Sequence, residues 1–307
     1  MPTYRLTVEY EGTRYSGWQE QKNARTVAGE LRRALAAVAP EPFELGGSGR
    51  TDAGVHALAQ VAHLRVAAPL ALDGALARVN DELPPDVHLL SLEPAPPRFH
   101  ARHDAGARSY LYQIARRRTA LGKRFVWWVK RPLDAGAMAA ALAALGGRHD
   151  FARFAEHGAD PEASTLVEVE RAELAAVGDL LLVRVVASHF LWKMVRRLVG
   201  TLVEVGGGAL SVDAFRRLVE TPESSSARPA QWTAPPSGLF LERVLYAGDA
   251  PLGPLAPAVP VTTPPPAARA EPSRPAARRP VRPGRPSGPG RRERGEGPRG
   301  RGRRPRR

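Results

Sequence analysis

Apolar and polar residues alternate from Tyr4 to Glu11, and this pattern predicts a β-strand near the start of the chain. Thr26 then opens a stretch with apolar residues at helical spacing, which predicts a helix capped by Thr26 that continues to about Ala39. The next patterns predict short strands over Phe43–Leu45, Gln60–Val66 and Val87–Leu92, with a helix over Leu70–Asp81. The order of these elements is β-α-β-β-α-β.

The following stretch repeats this order. The patterns predict a strand over Ser109–Ala115, a helix over Asp134–Leu145, strands over Leu166–Ala176 and Leu180–Ala187, a helix over Phe190–Val205, a short helix begun by Ser211 or Asp213, and a strand over Leu239–Tyr246. Two such units in succession predict an α+β fold of two ferredoxin-like halves, residues 1–105 and residues 106–249.

The C-terminal segment has a different composition. Residues 251–307 contain 15 arginines and 3 glutamates, a net charge of +12, so the other 250 residues carry only +2 of the total of +14. The same segment holds 15 of the 30 prolines and few large apolar residues. Such a segment cannot bury enough apolar surface to offset its ordering entropy, and we expect residues 250–307 to be a disordered basic tail.

Composition also excludes some kinds of site. The chain has no cysteine, so disulfides, thiolate nucleophiles and cysteine metal sites are impossible. None of the eight histidines has metal-ligand spacing to an acid, so we expect no metal. The sequence predicts neither a signal peptide nor an apolar run long enough to cross a bilayer.

A glycine-rich stretch between two predicted strands is the strongest candidate for chemistry. Gly46, Gly47, Gly49 and Gly54 surround one base, Arg50, and one acid, Asp52. Glycine allows positive φ and close backbone approach, so this loop is suited to holding two side chains. A plain hairpin turn with an incidental surface acid fits the composition equally well.

Gly49-Arg50-Thr51-Asp52-Ala53-Gly54-Val55-His56 resembles the active-site motif of the tRNA pseudouridine synthase A family. Further stretches that resemble this family are Tyr10–Thr13, Tyr15–Gln19, Phe99–Arg102, Arg108–Tyr110, Met194–Arg196 with Gly200, and Ala234–Leu239. The resemblance covers roughly residues 3–247 and does not reach the basic tail. It implies that the sheets of the two halves join, across Leu89 to Tyr112, into one extended mixed or antiparallel sheet with helices on one face.

The resemblance implies that Asp52 is the essential carboxylate of an isomerase. Pseudouridine formation breaks the C1′–N1 bond, turns the uracil and rejoins it through C5, so nothing is consumed and no cofactor is needed. A free aspartate is ionised at neutral pH and can act as a nucleophile or a base. Whether it attacks the sugar, attacks the base or removes a ribose proton stays open.

Five other residues are candidates for substrate contacts, namely Tyr110, Arg50, Arg196, Arg108 and His100. If the loop is extended, Arg50 points to the same side as Asp52, either to contact RNA or to act as a structural partner. Tyr110 matches the family tyrosine that lies against the target uracil, whereas Tyr112 on the same strand face is expected in the core. Arg108 is a candidate phosphate contact and His100 a candidate RNA contact, while His56 is expected to pack and form hydrogen bonds within the loop.

Arg196 lies on or near the buried stripe of a predicted helix, where an unpaired charge is costly. It therefore needs an acid partner, and the resemblance points to Asp52; the alternative is a side chain that extends to solvent. The chain departs from the family pattern just before, at Leu191-Trp192-Lys193. A basic stretch with Arg116–Arg118, Lys123 and Arg124 near Trp127 and Trp128 either follows an RNA backbone or is a solvated loop.

Together these features predict a cytoplasmic tRNA pseudouridine synthase, and the resemblance implies that it modifies the uridines at positions 38, 39 and 40 of the anticodon stem-loop. The resemblance further implies a homodimer, and the basic tail is expected to add non-specific RNA contacts. Two alternatives are a non-catalytic RNA-binding module and the same isomerisation on another RNA. Asp52 together with Arg50 and Tyr110 separates the enzyme from the binding module, since a pure binder has no use for a carboxylate that faces an anionic ligand.

Overall fold

The computed structural model describes residues 1–156 and 164–261. The first half contains four strands and two helices, in the predicted β-α-β-β-α-β order. They are β1 (Thr3–Tyr10), α1 (Val27–Leu35), β2 (Glu44–Gly47), β3 (His56–Arg65), α2 (Ala75–Glu82) and β4 (Val87–Ala95).

The second half contains the predicted elements and two short strands that the sequence patterns did not predict, β6 and β7. The elements are β5 (Ala105–Ala115), β6 (Trp127–Trp128), α3 (Ala135–Leu142), β7 (Gly147–Asp150), β8 (Leu166–Val177), β9 (Leu180–Ala187), α4 (Met194–Gly206), α5 (Val212–Glu220) and β10 (Leu239–Tyr246). Single 3-10 turns lie at Gly12–Arg14, Ala143–Leu145, Ala152–Phe154, Pro222–Ser224, Pro229–Trp232 and Pro236–Gly238.

Helix boundaries follow local capping. The Thr26 hydroxyl accepts a hydrogen bond from Gly29 N–H at 3.3 Å, and the Ser211 hydroxyl accepts one from Ala214 N–H at 3.1 Å, so Ser211 rather than Asp213 caps α5. Helix α4 starts at Met194 and not at Phe190 as predicted, because Lys193 has a left-handed φ of 61° that helical backbone does not allow.

All the strands form one mixed sheet of ten strands. Eight of them follow the order β4-β1-β3-β10-β5-β9-β8-β7, while β2 pairs with β3 and β6 with β5. The predicted junction from Leu89 to Tyr112 is wrong, because β4 lies at the sheet edge and β10 connects the two halves. Strand β10 pairs in parallel with β3 at Phe240–His56 and Leu241–Ala57, and antiparallel with β5.

Strand β3 shares one edge between two partners. Its C-terminal part, Ala62–Arg65, pairs with β2, whereas its first two residues pair with β10. The chain therefore leaves β2 at the point where β10 enters the sheet. The residues between β2 and β3 lie at this central junction.

Side chains from the two faces of the sheet form separate clusters. Tyr112, Ile114 and Val183 pack with α3, α4 and α5 in one buried cluster. The helices of the first half pack with β1 and β3 in a second. Leu111, Leu182 and Phe240 alternate with these positions and form a third cluster on the opposite face.

Residues 251–261, which we call the C-terminal strap, cover this third cluster. Leu255, Val259 and Val261 pack against it, and the Gln113 side chain exchanges two hydrogen bonds of 3.3 Å with the backbone of Val259. The expectation of disorder is therefore wrong for 251–261, because the prolines here alternate with apolar residues that find a partner on the sheet. The expectation for residues 262–307 lies outside the described residues.

Candidate functional site

The glycine-rich loop, residues 46–56, runs from the end of β2 to the start of β3 and is held by contacts with the first half of the chain. Trp18 N–H donates a hydrogen bond to Thr51 O at 3.1 Å, and the Thr51 hydroxyl lies 2.8 Å from the Tyr10 hydroxyl. Gly54 adopts a left-handed φ of 78°, which a residue with a side chain rarely adopts. These contacts fix the backbone on both sides of Asp52.

Two glycines outside the loop allow it to sit this close to the body of the protein. A Cβ atom on Gly12 would lie 1.9 Å from Val55 O, and one on Gly17 would lie 2.5 Å from Thr51 O. Gly12 N–H also donates to Nδ1 of His56 at 3.1 Å. The sequence placed both glycines in matching stretches, but their role as close contacts of the loop is visible only in the structure.

Asp52 forms an ion pair with Arg196, as the resemblance predicted. Asp52 Oδ2 lies 3.1 Å from Arg196 Nη1, and the two side chains are 24% and 15% exposed. Arg196 therefore does not extend to solvent. Asp52 Oδ1 has no hydrogen bond to any residue that the structure describes. One carboxylate oxygen is thus fixed by a cation while the other remains available.

The Arg196 guanidinium also connects α4 to the segment before β10. Its Nε donates to Ala234 O at 2.7 Å, and Ala234 N–H donates to Arg196 O at 3.0 Å. Gly200, one helical turn further on, lets this segment approach: a Cβ there would lie 1.4 Å from Trp232 O. Arg196 thus has a defined position before any ligand binds.

Tyr110 lies half-buried on β5, at the contact between the two helix-side clusters. Its ring packs edge-on against Phe190 with centroids 4.9 Å apart. Burial raises the pKa of Tyr110, and the negative charge of Asp52 raises it further, so the phenol stays protonated. Within the described ranges, its hydroxyl has no hydrogen-bond partner.

Tyr112 differs from Tyr110, as predicted. Its side chain is fully buried and its hydroxyl donates to Pro235 O at 2.7 Å, so Tyr112 belongs to the core. Arg50 is exposed, and its guanidinium forms neither a hydrogen bond nor an ion pair with residues 1–156 or 164–261. The alternative of a structural partner for Asp52 is therefore not seen, and contact of Arg50 with RNA stays a prediction.

Arg108 does not have the environment of a free phosphate contact. Its guanidinium donates four hydrogen bonds to carbonyl oxygens, those of Ser48 (3.1 Å), Arg102 (2.6 Å), Ala105 (3.1 Å) and Ser188 (2.8 Å). Burial lowers its pKa, although it remains a strong base. We therefore reassign Arg108 to fixing the glycine-rich loop against the ends of β5 and β9, since only its Nε–H remains for a ligand.

The two histidines that the sequence analysis singled out have different environments. His56 is buried as expected; its Nδ1 accepts from Gly12 N–H and its Nε2 lies 3.0 Å from Arg124 O. His100 is half-buried, with its ring centroid 4.4 Å from that of His63 and 4.2 Å from that of His103. Burial lowers the pKa of His100, so a contact with RNA, which stays a prediction, would be made by a neutral ring.

In the part of the chain that the structure describes, no group of three acids or histidines is placed to hold a metal ion. No helix in the described ranges has both the length and the apolar character that a membrane span requires.

Comparison with known proteins gives a consistent result. The family model described as tRNA pseudouridine synthase matches residues 6–104 and 141–247, more than half of the chain. Proteins named tRNA pseudouridine synthase A from Maricaulis maris and Beijerinckia indica are 41% and 42% identical over 253 and 252 residues. These matches cover 81% and 80% of this chain and 100% and 94% of the two relatives. The protein of that name from Rhodospirillum rubrum is 41% identical over 254 residues, 81% of this chain and 89% of the relative.

Proposed function

This chain belongs to the tRNA pseudouridine synthase A family, and we propose that Asp52 is the carboxylate on which its reaction depends. The protein is a tRNA pseudouridine synthase, an isomerase that converts uridine in tRNA to pseudouridine. The observation that carries the role of Asp52 is its ion pair with Arg196, which leaves the other carboxylate oxygen free.

The isomerisation needs a carboxylate that is held in a defined position. Asp52 Oδ1 is the atom that would attack the sugar, attack the base or remove a ribose proton, and the three roles remain alternatives. Arg196 holds Oδ2 at 3.1 Å and so restricts rotation of the carboxylate. Reaching the reacting atom from a fixed position lowers the entropic part of the barrier.

Tyr110 and Arg50 have complementary roles in this proposal. A uridine inside a stem must leave the base stack before it reaches Asp52, at a cost of a few kcal/mol. The neutral Tyr110 ring would stack on the uracil, and its unpaired hydroxyl would relay the C5 proton after the new bond forms, accepting it on the phenol oxygen as the phenol's own proton leaves to the Asp52 carboxylate or to water. The exposed Arg50 guanidinium would fill the vacated position or hold a neighbouring phosphate.

Several finer statements belong to the same proposal. We propose uridines 38, 39 and 40 of the anticodon stem-loop as the targets and a homodimer as the active form, both on the basis of family resemblance. The strand order β4-β1-β3-β2 in the first half recurs as β10-β5-β9-β8 in the second, which supports two ferredoxin-like halves. A tRNA substrate also favours the cytoplasm as the location.

Pseudouridine mapping tests the function and the role of Asp52 together. The tRNA of a strain that lacks this protein is mapped before and after complementation with wild type, Asp52→Asn and, as a control, Asp73→Asn, which removes an exposed acid near α2. We expect wild type and the Asp73 variant to restore pseudouridine at positions 38–40 and the Asp52 variant to restore none. Activity of Asp52→Asn within about tenfold of wild type, a barrier change of ~1.4 kcal/mol, would remove Asp52 from the proposed role.

A further inference from the structure

A buried arginine fixes the beginning of the C-terminal strap. Arg184 is 2% exposed and donates to the carbonyl oxygens of Gly253 and Pro254 at 3.0 and 3.3 Å. Its Nε and Nη2 donate to the Glu242 carboxylate at 2.8 and 2.6 Å, so the guanidinium itself is fixed on the sheet. The strap lies beyond residue 247, where the match to the family model ends, and yet it is bound to the body of the protein.

A buried glutamine of β5 binds the strap near its other end. Gln113 is fully buried; its Oε1 accepts from Val259 N–H and its Nε2 donates to Val259 O, both at 3.3 Å. The same Nε2 donates to Phe125 O at 2.8 Å. One side-chain amide therefore connects the strap to the segment that precedes β6. Removing the strap would take the hydrogen bond from Gln113 Oε1 and free the amide to turn.

Aromatic rings extend this connection to His56. The ring of His56 lies 5.2 Å from that of Phe125 and 4.8 Å from that of Phe240, measured between centroids. Ala258 and Val259 of the strap pack in the same apolar cluster as the two phenylalanines and line one cavity with all three rings. The strap is therefore part of the packing on which the His56 ring rests.

His56 in turn holds the loop that carries Asp52. Its Nδ1 accepts from Gly12 N–H at 3.1 Å, so the neutral ring carries its proton on Nε2, which donates to Arg124 O at 3.0 Å. Gly12 lies so close to Val55 that a Cβ on it would be 1.9 Å from Val55 O. Val55 N–H donates to Asp52 O at 3.1 Å. The contacts of His56 therefore set the position of the turn from Asp52 to Val55.

We propose that the C-terminal strap is a positioning element of the Asp52 site. Through Gln113 and the backbone of Arg124 and Phe125 it fixes the His56 ring, and His56 fixes the turn that begins at Asp52. Gln113 and His56 act through the loop and not on the substrate, so they are positioning residues. Their effect on turnover rests on the proposed function, in which the reaction depends on a carboxylate held in place.

Two truncations that remove the same charge test the strap. Deletion of residues 262–307 keeps it and deletion of residues 251–307 removes it, and the two proteins differ by eleven uncharged residues. The assay is release of the C5 hydrogen isotope from labelled tRNA in a single turnover at saturating tRNA. We expect the protein without the strap to be about tenfold slower, because a small displacement of a reacting group is costly. The Kd for tRNA should be equal, since both proteins have lost the same arginines.

Hydrogen–deuterium exchange of the RNA-free proteins reports the order of the loop directly. The N–H groups of Gly12, Val55 and Phe125 form hydrogen bonds along the path from the strap to Asp52. We expect them to exchange at least about tenfold faster after deletion of 251–307 than after deletion of 262–307, because local opening becomes easier. The N–H of Leu89, at the sheet edge on β4, should exchange equally in both proteins.

Gln113→Leu removes the connection inside the full chain, and Asn80→Leu is its matched control. The Asn80 side chain also exchanges two hydrogen bonds with the backbone of one residue, Leu89, at 2.9 and 2.8 Å. Both variants should lower the midpoint of urea unfolding, because each loses hydrogen bonds of the same kind. Only Gln113→Leu should slow the single-turnover step, and it should do so without raising the Kd for tRNA.

Equal single-turnover rates and equal loop exchange in the two truncations would show that the strap only covers an apolar cluster, and would overturn the inference. An equal loss of rate in Asn80→Leu would overturn the path through Gln113. If Gln113→Leu does not fold, the two truncations decide the question, and the reverse also holds. Failure of the proposed function is separable: the full chain would then form no pseudouridine, while exchange at Gly12, Val55 and Phe125 would still show whether the strap positions the loop.

Discussion

Replacing Arg196 with methionine tests the ion pair at the centre of the site. The variant keeps most of the side-chain volume but removes the guanidinium that lies 3.1 Å from Asp52 Oδ2 and 2.7 Å from Ala234 O. Opposite unit charges about 4 Å apart near a protein surface attract by about 4 kcal/mol before solvation is counted. Because both side chains are partly exposed, the measured loss should be nearer the value for hydrogen bonds to charged groups, about 1.5–3 kcal/mol.

This free energy corresponds to a fall in turnover of roughly 10- to 100-fold, since each 1.36 kcal/mol of barrier changes the rate about tenfold. The assay is release of the C5 hydrogen isotope from labelled tRNA under single-turnover conditions, with tRNA binding measured separately. Urea unfolding corrects for stability, because the orphaned Ala234 carbonyl costs a further ~1–3 kcal/mol. Arg216→Met, which removes an exposed cation of α5, is the matched control.

Arg196→Lys refines the test. An ammonium keeps the charge but is a compact donor on a flexible stem, so it does not reproduce the planar guanidinium that reaches both Asp52 Oδ2 and Ala234 O. We expect its turnover to lie between those of wild type and Arg196→Met. If Arg196→Met keeps its rate within threefold of wild type while losing stability, the pair serves folding only and the argument for Asp52 positioning fails.

Three further perturbations follow from the structure. Tyr110→Phe should bind tRNA normally, because base stacking worth about 1–3 kcal/mol survives, but it should form pseudouridine slowly. Tyr110→Ala should lose tRNA binding as well. Equal activity of Tyr110→Phe and wild type in the isotope assay would show that Tyr110 only stacks on the base. Gly200→Ala should destabilise the fold by about 1–3 kcal/mol in urea unfolding, since the new Cβ meets Trp232 O, whereas Gly106→Ala, with its nearest neighbour at 3.8 Å, should be nearly neutral. Burial lowers the pKa of folded His56, whose Nδ1 already accepts from Gly12 N–H, so the unfolded chain binds this proton more readily than the folded one; the free energy of unfolding should therefore fall as pH drops below about 6.5, and less steeply in His56→Gln, while parallel pH curves for the two proteins would contradict this.

Local sequence determined most of the elements and the central loop. Alternation along Tyr4–Glu11 identified a strand because side chains of a strand face opposite sides, and that period is present in the sequence itself. Thr26 identified one helix start, and the sequence narrowed the other to Ser211 or Asp213, because capping involves residues only three positions apart; the structure selects Ser211. The Asp52 loop was recognisable because its glycines and charged residues are contiguous.

Tertiary structure decided which distant residues meet. Asp52 and Arg196 are 144 positions apart, and their pairing depends on β10 entering between β3 and β5, which no local pattern encodes. Because β10 connects the two halves, the predicted junction at β4 is wrong. The charge of Arg108 is visible in the sequence and suggested a phosphate contact. The four carbonyl oxygens that accept its hydrogen bonds come from separate parts of the chain, so only the tertiary structure shows them. The strap shows the converse, since a proline-rich stretch becomes ordered once a sheet face and the side chains of Gln113 and Arg184 provide partners for its apolar and backbone groups.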